Sequence, residues 1–186
     1  MAAGAKPEPV DRLIQLGEVL VGYFNDYELS APGGRLSANE YQQFLLAHLI
    51  LFDTINAKFL WKRISKGLKE EPNSLKELWN IGKALSEKQY AEAFLLIASL
   101  TRSLQQDTEK NGPTLKLVEV LIKTLREHHI LQDVKSAYQS IELPKIKALL
   151  GLTAETDQVL ASFLTARGFK LDGTFVHIPH NIDDGT

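Results

Sequence analysis

Cysteine is absent from this chain of 186 residues, so it can build no disulfide, no thiolate zinc site and no cysteine nucleophile. A reducing compartment is compatible with that usage. Excess charge is missing as well. Lys and Arg number 21 against 23 Asp and Glu, for a formal net charge of -2. Affinity for a polyanion comes largely from clustered cations that release counterions, and this balance does not supply it. Long apolar runs are lacking too: Phe44-Leu45-Leu46-Ala47-His48-Leu49-Ile50-Leu51-Phe52 falls far short of the ~20 residues of a membrane-spanning helix. The opening, Met1-Ala2-Ala3-Gly4-Ala5-Lys6-Pro7-Glu8-Pro9, has no apolar stretch of the secretory kind and reads as a disordered tail. The expected location is therefore cytoplasmic and nuclear, with no membrane partner.

The motifs of catalysis are equally scarce. The chain holds no glycine-rich phosphate loop, no serine flanked by glycines in the nucleophile-elbow pattern, and no His-Glu-x-x-His. Its five histidines do not assemble a metal site on paper. His128 and His129 are adjacent on a helix and point about 100° apart. His48 lies in an apolar run and reads as a buried, hydrogen-bonded side chain. His177 and His180, near the end, offer at most adventitious metal binding. The acid pairs Glu70-Glu71 and Asp183-Asp184 read as solvated charge. No cofactor, no metal and no catalytic residue is expected.

What the chain does have is 44% hydrophobic content, enough to bury a core in one domain or two small ones. Its most distinctive segment is Asn56-Ala57-Lys58-Phe59-Leu60-Trp61-Lys62-Arg63-Ile64, where aromatic, aliphatic and cationic side chains interleave. On a helix, Ala57, Leu60, Trp61, Ile64 and Leu68 share one side while Ile55 and Phe59 share the other. A helix apolar on opposite sides is expected to be covered on both, as in the middle of a stacked array, with Lys62 and Arg63 as rim charges.

The rest of the chain reads as helices in short succession. Apolar spacing from Val10 to Tyr27 predicts a first helix, and Glu28 to Leu36, with Pro32-Gly33-Gly34, predicts a loop. Ser37 and Glu40 have the spacing of a capping box, and Asp53 is placed to cap the helix that carries Trp61. The same signal recurs at Ser74 and Glu77 and at Ser86 and Gln89. Asn111-Gly112-Pro113-Thr114 is read as a break that starts another helix. Antiparallel helix pairs in a short irregular array fit residues 10–129.

After His129 the pattern changes. A helix through Val134 and Tyr138 leads to Gln139-Ser140-Ile141-Glu142-Leu143, a short extended piece. Pro144 to Leu152 then forms a compact helix closed by Gly151, and Thr153 is read as the cap of a further helix ending at Gly168. Phe169 to Ile178 alternates around Asp172-Gly173, a strong hairpin signal. Helix, strand, helix, helix, hairpin is the order of a winged helix, expected over 130–179, with 180–186 flexible. The fold class is thus dominated by α-helix with a minor α+β part: a helical-repeat array followed by a winged-helix subdomain.

Leu143-Pro144-Lys145-Ile146-Lys147-Ala148-Leu149-Leu150-Gly151-Leu152 with the helix after it resembles the winged-helix half of PCI domains, which occur in the proteasome lid, the COP-nine signalosome and initiation factor three. Glu28 to Gly34, Asn56 to Ile64, Leu78-Trp79-Asn80-Ile81-Gly82 and Ser136 to Ile141 resemble, within that family, the group of signalosome subunit eight. The resemblance covers nearly everything from Glu28 to Leu171. It implies a non-catalytic scaffold subunit, in hetero-oligomeric contact with other PCI-domain subunits of a complex that removes Nedd8 from cullins. The zinc site of that chemistry uses a His-x-His element, and this sequence has none. Family members continue past the winged helix into a C-terminal helix that joins a bundle. The polar residues after Pro179 do not carry that contact over.

A winged helix also raises nucleic-acid binding, but Glu155, Thr156, Asp157, Gln158, Ser162 and Thr165 offer two acids, with Arg167 the only cation on that helix. A protein-facing surface is the stronger expectation. The interface candidates are Gln139, Ser140, Ile141, Phe169, Leu171, Phe175, Val176 and His177, where a small sheet would leave a free edge, and Phe59, Lys62 and Arg63 on the Trp61 helix.

Overall fold

A computed structural model describes residues 9–179, and among these it contains ten α-helices and one three-stranded sheet. Helix α1 (Pro9–Ser30) is longer than the apolar spacing suggests. It starts on Pro9, which is suited to a first turn, and absorbs Glu28-Leu29-Ser30, read above as loop. The helix ends where Ala31 turns extended before Pro32. The expected tail therefore loses Pro9, and its remaining residues, like 180–186, lie outside the described part.

The capping box at α2 (Ala38–Ile50) forms as expected. Ser37 Oγ accepts from the Glu40 N–H at 3.3 Å, and Glu40 Oε2 accepts from the Ser37 N–H at 2.7 Å. This helix is the centre of the molecule. It is buried almost all round, because α1, α3 (Thr54–Arg63), α5 (Leu75–Ser86) and α7 (Thr108–Thr124) all pack against it. Asp53 caps α3 through the Asn56 N–H at 3.0 Å, after Phe52 reverses the chain with a φ of 56°. Helix α3 stops at Arg63, since Ile64 is extended and Ser65 caps the short α4 (Lys66–Glu70). Leu68 is therefore not on the Trp61 helix.

Three other starts move. Ser74 precedes α5 but does not cap it with its hydroxyl, and Asn73 Oδ1 takes the Leu75 N–H instead. Ser86 closes α5 rather than opening α6 (Tyr90–Leu104), because Lys88, at φ 56°, makes the turn between them. Helix α7 begins at its Asp107 cap and runs through Asn111-Gly112-Pro113. A proline in the second turn removes one helical hydrogen bond near an end that already has unpaired donors, so the helix survives it.

No loop separates the array from the small α/β part. Helix α7 passes into α8 (Ile130–Ala137) through a π-helical turn, Leu125–His129, so the boundary expected at 129/130 lies inside a continuous helical rod. Then follow β1 (Ser140–Glu142), α9 (Leu143–Leu149), α10 (Asp157–Thr165), β2 (Lys170–Asp172) and β3 (Phe175–His177), in the element order read from the sequence. Thr156, not Thr153, caps α10. Hydrophobic contact is continuous from Phe24 to Ile178, so both parts share one core.

Candidate partner-binding surfaces

The small sheet has the order β1-β3-β2, antiparallel throughout. Its central strand is β3. That placement changes the candidate edge: Phe175, Val176 and His177 are already paired on both sides, and among the described residues the free edges belong to β1 and β2. The register sets Ile141 and Leu171 against Val176, forming one row that faces the core. Ile141, Phe169 and Val176 are at most 3% exposed, so their side chains hold the chain's own interior and are not available at its surface. Leu171 is half-buried against the same core. Gln139, Ser140 and His177 are exposed as expected, and Phe175 is 45% exposed.

The outward rows are therefore Ser140, His177 and Lys170, and next to them Glu142, Phe175 and Asp172. One aromatic ring stands between two carboxylates. An apolar anchor with acidic neighbours suits a partner that brings an apolar pocket with basic residues around it.

The second candidate surface is the outer face of α3. Leu60 and Ile64 are buried, and Trp61 stacks on Trp79 of α5 with centroids 5.9 Å apart, which locks α3 to the next helix as the sequence suggests. The opposite face is not covered. Ile55 is 68% and Phe59 55% exposed, so the expectation of cover on both sides fails among the described residues. Lys58 and Lys62 are exposed beside them, one turn apart. Arg63 is no free rim charge. Its guanidinium donates to both carboxylate oxygens of Glu28, at 2.6 Å for the closest pair, and sits 5.6 Å from the Phe44 ring centre. Glu28 also accepts from the Tyr41 hydroxyl at 2.9 Å, so Arg63 ties α3, α2 and α1 together.

Sequence reasoning missed the joint between the two parts. In the π turn, Arg126 donates to the Leu150 carbonyl at 2.8 Å and to the Gly151 carbonyl at 3.0 Å, capping the end of α9, while Glu127 pairs with Arg167 at 3.0 Å. Nothing local in Leu125-Arg126-Glu127-His128-His129 signals this, because the partners lie more than 20 residues away. Arg167 is thus engaged within the chain and also stacks on Phe163 at 3.7 Å. Arg167 at the end of α10 and Lys147, which pairs with Asp157 at 3.0 Å, are both engaged within the chain, which weighs against a nucleic-acid surface.

The buried histidines are structural. His48 stacks on Phe44 at 5.1 Å, but its Nδ1 has no partner, unlike the hydrogen-bonded side chain expected. His129 Nε2 donates to the Ile50 carbonyl at 2.8 Å. Burial holds both imidazoles below their ordinary pKa of 6.5, with the bond to Ile50 pulling His129 partly back. Below that value the unfolded chain binds protons that the folded chain refuses. The stability these groups contribute is full above about pH 6.5 and is lost as pH falls through the depressed values. Urea midpoints should therefore drop between about pH 7.5 and pH 5.5, and His129→Gln should flatten that slope. An unchanged slope would remove His129 from the account.

Comparison with known proteins adds to this geometry. Residues 35–184 match the model of the CSN8/PSMD8/EIF3K family. The chain is similar to a Danio rerio protein named COP9 signalosome complex subunit 8, 29% identical over 77% of this chain and 70% of the relative. Proteins of the same name from Xenopus laevis and Dictyostelium discoideum are each 27% identical, over 70% and 74% of this chain. The match spans 62% and 65% of those two relatives, somewhat less than two thirds of their length.

Proposed function

Because the chain belongs to the CSN8/PSMD8/EIF3K family, we propose that it is a non-catalytic assembly subunit of a signalosome complex, which deneddylates cullin-RING ubiquitin ligases through a different subunit. The carrying observation is the outward face of the small sheet, with Phe175 exposed between Glu142 and Asp172 and, among the described residues, the outer backbone edges of β1 and β2 unpaired. Another PCI subunit would extend the sheet by strand addition, with Phe175 as the side-chain anchor, and the α8-to-β3 part would act as a winged helix turned to protein rather than to nucleic acid. The family description also takes in proteins of other complexes, and a small PCI subunit of the proteasome lid or initiation factor three is the competing assignment. The signalosome name of the relatives favours the first. The same reading has the chain in cytoplasm and nucleus.

Affinity purification of the tagged chain, read by mass spectrometry, is expected to recover the other signalosome subunits. Phe175→Asp should cut that recovery by about tenfold, while circular dichroism stays unchanged because the side chain is half exposed. Val176 is unsuitable for this test, since a charge at a fully buried central position would unfold the sheet. Undiminished recovery with Phe175→Asp would remove the sheet as the contact, and recovery of proteasome-lid subunits would reassign the complex.

A further inference from the structure

Helix α1 buries one side and leaves the other to solvent. Gly17 and Phe24 point into the core, while Leu16, Val19 and Tyr23 are 38%, 67% and 57% exposed. At about 100° per residue these three lie within roughly 60° of the Val19 direction, and so do Arg12, Gly22 and Asp26, all of them exposed. Neither Arg12 nor Asp26 is in an ion pair among the described residues. An outward apolar stripe of this kind marks an interaction surface. Helix α1 also lies before the family match over 35–184, so family membership assigns the stripe no role.

The order of the charges along the stripe selects its occupant. Arg12 and Asp26 stand at equal distances in sequence on either side of Val19. A second copy laid antiparallel about a two-fold axis at Val19 therefore sets each Arg12 beside the Asp26 of the other copy. In that register Val19 meets its own counterpart, and Leu16 packs on the Tyr23 ring of the second copy. Gly22 has nothing within 4 Å of where a Cβ would stand, which leaves room on the flank for two backbones to approach. The uncovered face of α3 lacks this property: Ile55 and Phe59 have Lys58 and Lys62 beside them, and self-pairing there would bring like charges together. We infer that the outward face of α1 pairs with the same face of a second copy of this chain. The paired stretch, residues 12–26, is roughly 21 Å long at 1.5 Å per residue and about 10 Å wide, so each copy would bury about 400 Å², the size of a weak, reversible contact. A net charge of -2 puts little long-range repulsion in its way. None of these residues belongs to the small sheet, so pairing through α1 is separable from assembly through β1 or β2.

The test is sedimentation equilibrium of the purified full chain, which should show a monomer–dimer equilibrium with a Kd on the order of tens of micromolar. Arg12→Asp and Asp26→Arg should each weaken self-association by at least about tenfold, because each sets like charges together at both ends of the stripe. A one-to-one mixture of the two variants should pair again, since every Asp at position 12 then meets an Arg at position 26, and every Arg at 12 an Asp at 26. Both positions are exposed, so circular dichroism should not change. The chain has no cysteine of its own, which permits a second readout. Val19→Cys, on the axis, should cross-link to a dimer under mild oxidation, whereas Ser99→Cys, exposed on α6, should not. A chain that stays monomeric up to about 300 μM overturns the proposal, and this is also the result expected if a different subunit covers the stripe. So does a dimer that Arg12→Asp leaves intact, a mixture that fails to pair, or cross-linking through Val19→Cys no faster than through Ser99→Cys.

Discussion

Substituting alanine for Gly151 is expected to destabilise the protein by about 3 kcal/mol, which lowers the melting temperature by roughly 10 °C for a chain of this size. Two effects add. Gly151 closes α9 at a φ of 64°, a left-handed conformation that costs an L side chain about 1–2 kcal/mol. The added methyl would also lie 2.3 Å from Cγ of Phe94, far inside van der Waals contact. Phe94 cannot simply withdraw, since it is buried and the guanidinium of Arg126 lies 5.1 Å from its ring centre. Making room therefore disturbs the bonds from Arg126 to the Leu150 and Gly151 carbonyls that hold the small sheet to the array. Gly33→Ala is the control. Gly33 has a similar φ of 68° but nothing near its missing Cβ, so only the backbone cost, about 1 kcal/mol, should appear. Equal losses in the two variants would mean that the packing at Gly151 contributes nothing.

Phe44→Ala is expected to cost about 3–5 kcal/mol by calorimetry, whereas Phe59→Ala should fall within about 0.5 kcal/mol of the parent. Both are phenylalanines with apolar neighbours on a helix. Phe44 is fully buried at the centre of α2, stacked on Phe24 at 5.4 Å and on His48 at 5.1 Å, with Arg63 over its face. Truncation leaves a cavity bounded by three helices and frees the Arg63 that links them. Phe59 projects from the uncovered face of α3 and loses almost nothing in the free chain. A Phe44→Ala loss below about 1 kcal/mol would show that the centre of α2 relaxes around the gap.

The local signals were readable to the extent that their partners were close in sequence. Ser37 with Glu40 and Asp53 with Asn56 cap as their spacing suggests, because each bond joins residues three apart. The same spacing misled at Ser86 and Gln89, and in part at Ser74, where a turn at Lys88 and the Asn73 side chain compete for the same backbone groups. Pro113 misled in the other direction: its ring breaks a helix interior, but here it sits early enough in α7 to be tolerated. At the candidate surface, alternation around Asp172-Gly173 located the hairpin, yet could not say that β1 would pair with β3 and make it the central strand.

By itself the sequence determined the helical character, the caps at Ser37 and Asp53, the order of elements in the small α/β part and the two-faced pattern of the Trp61 helix, since periodicity and capping act over a single turn or a few residues. Only the tertiary structure decided which apolar face is covered, which strand lies inside, and where Arg126 and Arg63 spend their charge. Those outcomes depend on contacts between residues far apart in the chain. Pattern alone does not carry them: Phe59 and Leu60 are neighbours in sequence, and packing by α2 and α5 buries one and leaves the other to solvent.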